Sequence, residues 1–262
     1  MLKKIGLFSL LTLLVFATNS SVHAQQQREV LFQLSTIDGL LSGIYDGRMT
    51  LGELKQHGDI GIGTFHALDG EMLVVDGTVY QVTADGAVHI PDPTVTTPFA
   101  AVTFFDVDQE KGLPSGVDFQ GVVKEIDGLI PTPNLFHAIR IEGTFQRVKT
   151  RSVPKQVKPY PPLGEVVKTQ PIFDFEDVEG VIVGLRCPPF VKGINVPGSH
   201  LHFLTKDKKA GGHVLELIVK EAVLKVDHTP EFSLVLPEDQ DFYRLNLEAD
   251  ASLEGETPPR KE

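Results

Sequence analysis

The stretch NVPGSHLHFLTKDKKAGGHVLEL contains His200, His202 and, after ten further residues, His213. A neutral imidazole both donates and accepts a hydrogen bond near pH 7, and it is the commonest protein metal ligand. On a strand, residues two apart project from one face about 7 Å apart. His200 and His202 therefore project together while Leu201 and Phe203 face the other way. The polar, glycine-ended TKDKKAGG reverses the chain, and HVLELIV returns antiparallel with His213 near its start. All three imidazoles then meet at one sheet end. Three histidines with an open fourth position suit catalytic zinc, whereas structural zinc sites use four ligands rich in cysteine. The chain has one cysteine, Cys187, which excludes the latter. Ordinary strand histidines, satisfied by backbone or solvent, also produce an H-x-H followed by a third His, so spacing alone leaves both readings open.

Carboxylates are too numerous to choose by type. GTFHALDGEM holds Asp69 and Glu71; Asp-Gly makes a turn, and Glu71 sits where a strand resumes. Arg151, in VKTRSVPKQ, ends a strand before a proline-bound segment, and on its own it reads as one more surface cation. His66, His137 and His228 have no comparable partners and read as structural or exposed.

The elements that must position these residues are mostly strands. REVLFQLSTIDGLLSGIYDG reads as a strand over Val30 to Leu34, a Ser/Thr cap and a short helix. In MTLGELKQHGD, Thr50 and Glu53 form a T-x-x-E capping box. Short β-rich runs broken by Asp-Gly pairs predict successive hairpins from Gly61 to Pro91. Phe119, Val122, Val123 and Ile126 lie at helical spacing. LFHAIRIEGTFQRVKTRSV predicts two strands, PKQVKPYPPLGE a linker, and the runs beyond it further strands; the acidic tail from Glu238 reads as irregular. The fold class is α+β, with two subdomains built on mixed or antiparallel sheets and a few short helices. The expected division is 1–24, 25–150 and 151–262.

Residues 1–24 combine a basic start, a short apolar run and small residues at Val22 and Ala24, the pattern of a cleaved secretory signal. The expected location is secreted or periplasmic. Loss of Lys3 and Lys4 takes the formal charge from −11 to −13. An acidic chain without a basic stripe excludes nucleic acid and an anionic membrane surface as natural partners.

Together, VLFQLSTIDGLLSGIYDG, GIGTFHALDGEM, TPFAAVTFF, RSVPKQVKPYPPL and NVPGSHLHFLTKDKKAGGHVLEL resemble the acetolactate decarboxylase family, in family order from about Val30 to Leu217. The resemblance implies zinc on His200, His202 and His213, held between the two subdomains, with Glu71 and Arg151 as catalytic residues and a homodimer. It implies conversion of 2-acetolactate to (R)-acetoin and CO2. It also implies a glutamate near the C-terminus that reaches the metal. Ungapped extension puts a proline there, which leaves Glu254 or Glu256 to serve.

Two other classes compete. A cupin-type oxygenase also begins with H-x-H but adds a glutamate three or four residues on, and Leu204 to Asp207 holds none. The C-terminal half alone is similar to the PPC domain, which would make the chain a non-catalytic exported metal-binding module.

Overall fold

Alternating apolar residues and Asp-Gly turns build most of this protein, seen here in a computed structural model that describes residues 29–247. The predicted signal segment and both tail glutamates, Glu254 and Glu256, lie outside the described residues.

Strand β1 (Val30–Leu34) leads into helix α1 (Ile37–Leu41), whose first turn is capped by the Thr36 hydroxyl accepting from Gly39 N–H. A two-residue strand β2 (Met49–Thr50) precedes α2 (Leu51–Leu54), where the Thr50–Glu53 capping box is fully formed. Strands β3 (Ile60–Thr64), β4 (Glu71–Val75), β5 (Thr78–Val82) and β6 (Val88–His89) follow. Asp76 and Gly77 both take positive φ, as a two-residue hairpin turn demands, and join β4 to β5. Then come β7 (Thr96–Thr97), β8 (Ala100–Thr103), β9 (Gln109–Leu113) and α3 (Phe119–Leu129). The remaining elements are β10 (Phe136–Arg151), α4 (Leu163–Val166), β11 (Ile172–Cys187), β12 (Gly198–Thr205), β13 (Gly211–Thr229), β14 (Glu231–Val235) and α5 (Gln240–Tyr243).

The larger sheet has the order β14-β1-β8-β3-β4-β5-β6, antiparallel except where β14 runs parallel to β1. In the second sheet, β10 pairs with both β11 and β13 while β12 bridges β11 and β13, so four strands close on themselves and β9 extends β13. Strands β10, β11 and β12 each have two apolar faces. Ile139, Ile182, Leu201, Phe203 and Leu217 point inward to a core that Val122 and Ile126 of α3 plug. Val181, Val183, Leu185 and Leu204 point outward and pack on Leu31, Ile62, Leu73 and Val75 of the larger sheet.

Three features differ from the sequence reading. Phe136–Arg151 is one strand of 16 residues rather than two. Its apparent break at Glu142-Gly143 is a close approach: a Cβ on Gly143 would lie 2.1 Å from the Glu221 carbonyl oxygen, so only glycine lets the strand run through. The acidic tail contains one helical turn, α5, because the Asp239 carboxylate caps Asp241 and Phe242 N–H. Finally, sheet membership crosses residues 150/151. β9 and β10 belong with β11–β13, while β14 returns to the larger sheet. The proline-rich stretch is laid against the larger sheet's loops. There Gln156 N–H donates to the Ala67 carbonyl (2.7 Å), Tyr160 to Asp46 (3.0 Å), and Lys158 pairs with Asp46. Among the described residues, no helix is long and apolar enough to cross a membrane.

Candidate metal centre and active site

Register places the site residues side by side. His213 of β13 pairs with His202 of β12 on one flank and with Arg151, the last residue of β10, on the other. His200 and His202 share the face of β12 that carries Leu204, and this face looks toward the larger sheet. Two glycines make the crowding possible. A Cβ on Gly212, whose φ is +129°, would come within 2.4 Å of the Arg151 carbonyl oxygen; one on Gly184 would meet the His200 carbonyl oxygen at 2.0 Å.

The three rings converge. His200 Nε2 lies 2.9 Å from His213 Nδ1 and 3.2 Å from His202 Nε2, and the ligand atoms of the trio all lie within 4.8 Å of one another. His202 Nδ1–H donates to the Met72 carbonyl oxygen at 2.9 Å, so its Nε2 carries the free lone pair. Four-coordinate zinc at about 2.0–2.1 Å from nitrogen requires ligand nitrogens roughly 3.3 Å apart. The observed spacings fit such an ion. Two of the donors are also held neutral: removal from water, reinforced by His200 and Arg151, keeps His202 well below the usual imidazole pKa. Burial and then Arg151 do the same for His213. Neutral imidazoles are the form that ligates metal.

The two other expected residues join them. Glu71 opens β4 on the face shared with Leu73 and Val75, which points at the second sheet. It is 8% exposed, and its Oε2 lies 3.6 Å from His202 Nε2. Arg151 is 5% exposed and donates through Nη1 to Gln170 Oε1 at 3.0 Å. Together with Thr64, these groups form one wall of a cavity of about 40 Å³; Ile37, Leu40, Leu68, Phe99, Val153 and Leu163 form the apolar wall. Ala67 and Leu68 both adopt positive φ, so the turn that delivers Glu71 is strained where it meets the cavity.

Two contributors escaped the sequence reading. Thr64 continues the face of Ile60 and Ile62, and a polar residue ending an apolar stripe was a readable signal. Its hydroxyl donates to the Gly70 carbonyl at 2.7 Å, fixing the turn before Glu71. Gln170 carries no local signal, since only the pairing of β10 with β11 brings it to Arg151. His66, His137 and His228 lie outside the cavity lining.

A half-apolar cavity that brings together three imidazoles able to hold a metal ion, a carboxyl group and a guanidinium defines the site of an enzyme for a small substrate. Comparison with known proteins narrows that class. The family model for alpha-acetolactate decarboxylase matches residues 31–249. The chain is 47% identical over 219 residues to the alpha-acetolactate decarboxylase of Methanosarcina mazei, covering 84% of this chain and 76% of the relative. It is 41% identical to that of Bacillus subtilis, covering 83% and 86%. The crystal structure of alpha-acetolactate decarboxylase from Bacillus subtilis strain 168 superposes with a TM-score of 0.82 at 40% identity, covering 84% of this chain and 94% of that one. The chain belongs to the alpha-acetolactate decarboxylase family. The match spans both sheets, so neither a cupin nor a lone PPC-like module describes it.

Proposed function

We propose that this carboxy-lyase converts 2-acetolactate to (R)-acetoin and CO2 with zinc held by His200, His202 and His213. The observation that carries the reading is the convergence of those three ring nitrogens beside Glu71 and Arg151 in one buried cavity. Acetolactate is a β-keto acid. When its carboxylate leaves as CO2, the C–C electron pair stays behind, conjugated with the ketone as an enediolate. A zinc ion bound here supplies Lewis-acid stabilisation of that developing negative charge, so no organic electron sink is required.

The chain's own residues do the rest. Arg151 binds the substrate carboxylate through its planar fork. The apolar wall receives the two methyl groups and excludes water. Glu71 delivers a proton to one face of the enediolate carbon, which yields a single enantiomer. The tail glutamate, Glu254 or Glu256, is the alternative donor. The basic–apolar–small pattern of residues 1–24 supports export, and we read the working form as a homodimer.

The test is turnover of racemic acetolactate by the purified chain, with chiral analysis of the acetoin. A single enantiomer is expected. Oxygen uptake without acetoin would instead restore an oxygenase reading.

A further inference from the structure

The bond between Arg151 and Gln170 points to a residue that nothing in the sequence marked. Arg151 Nη1 donates to the side-chain oxygen of Gln170 at 3.0 Å, and the backbone holds both ends of that bond. Arg151 closes β10 in register with Ile172, and Ser152 N–H donates to the Pro171 carbonyl at 3.3 Å. Gln170 therefore sits at a fixed point beside the guanidinium, just after the turn Val167–Thr169 and separated from β11 only by Pro171. The acceptor is an uncharged amide. It orients one guanidinium nitrogen without adding negative charge beside a cavity that must admit an anion.

We propose that Gln170 is the positioning residue of Arg151: it aims the guanidinium at the substrate carboxylate and keeps that corner of the cavity free of added negative charge. The inference rests on the acetolactate reading above and on Arg151 as carboxylate binder. Its consequence is specific. The carboxylate oxygens keep much of their charge until the C–C bond has broken, so Arg151 holds them in both the ground and the transition state. Weakening that contact removes uniform binding, which raises KM and leaves kcat little changed. A residue that only supports the fold would lower stability or the active fraction, with KM unmoved.

Two variants separate these roles. Gln170→Ala removes the acceptor; Gln170→Glu keeps the shape and acceptor but adds a carboxylate beside the guanidinium. The measurement is steady-state kinetics on the metal-loaded chain, together with inhibition by 2-hydroxy-2-methylpropanoate, which keeps the carboxylate and hydroxyl but has no ketone and cannot react. Both variants are expected to raise KM about tenfold, and to weaken the inhibitor by a similar factor, with kcat within about threefold; tenfold corresponds to about 1.4 kcal/mol. Gln170→Glu is expected to exceed Gln170→Ala, because repulsion adds to misorientation. Unchanged KM and inhibition in both variants, or a fall in kcat alone, would overturn the positioning role while wild-type turnover leaves the acetolactate reading standing. A wild-type chain that releases no CO2 would overturn both.

Discussion

His202 takes its tautomer from the opposite sheet, since a carbonyl oxygen only accepts and the Met72 carbonyl fixes the proton on Nδ1. Removing any one imidazole breaks a set that is one donor short of zinc's usual four. His202→Ala is accordingly expected to lose stoichiometric zinc, read by elemental analysis, together with activity; full zinc occupancy in that variant would refute the assignment. Glu71→Gln is the sharper probe. It preserves shape and metal while removing the transferable proton, so kcat is expected to fall by roughly 10²–10⁴, the usual worth of general acid catalysis. Retained activity would move the proton donor to the tail glutamate. At this scale much was legible: the alternation in HLHFL states which residues share a face, and the trio followed from it. Glu71 and Arg151 were not distinguishable from other charged residues by type, and only family likeness singled them out. Gln170 was invisible, because it acts through a contact made by sheet pairing.

The elements meet at glycines that the site cannot replace. Gly212 combines a φ of +129° with a 2.4 Å approach to the Arg151 carbonyl oxygen, so Gly212→Ala must push β13 away from β10 and carry His213 with it. The expected result is a loss of roughly 1–3 kcal/mol of stability from the strained backbone, with weaker zinc retention under chelator challenge. Thr50→Ala provides the contrast. It removes the α2 cap at a cost of about 1 kcal/mol, and zinc retention and KM should stay unchanged, because no residue of α2 lines the cavity. Local signals of this kind were read directly from sequence: the Thr50–Glu53 box, the Asp-Gly turns and the helical spacing of Val122 and Ile126. Long-range pairings were not. The parallel return of β14 to β1 and the unbroken β10 depend on partners far along the chain, and Gly143 looks like a break until Glu221 is seen behind it.

Across the whole molecule, buried charge sets the pH response. Asp227 is 1% exposed at the junction of the two sheets, and burial, joined by Asp108 and Glu29, lifts its carboxyl to about 8. His137, also buried, is lowered to about 4, chiefly by burial. The signs oppose. Asp227 holds its proton more tightly folded than unfolded, so its contribution falls as pH rises from about 4 to 8. His137 binds its proton less tightly folded, so its contribution rises from about 4 to 6.5. The two offset below about 6.5, and above it Asp227 acts alone. Metal-free Tm is therefore expected to decline between about pH 6.5 and 8, and Asp227→Asn is expected to flatten the decline; an unchanged slope would contradict the assignment. The most direct test of the central claim is acetoin formation by the purified chain before chelation, after it, and after zinc is returned. Activity lost on chelation and restored by zinc is the predicted result. Acetoin formed at full rate by the metal-free chain, or zinc bound at the three histidines without any acetoin, would contradict it.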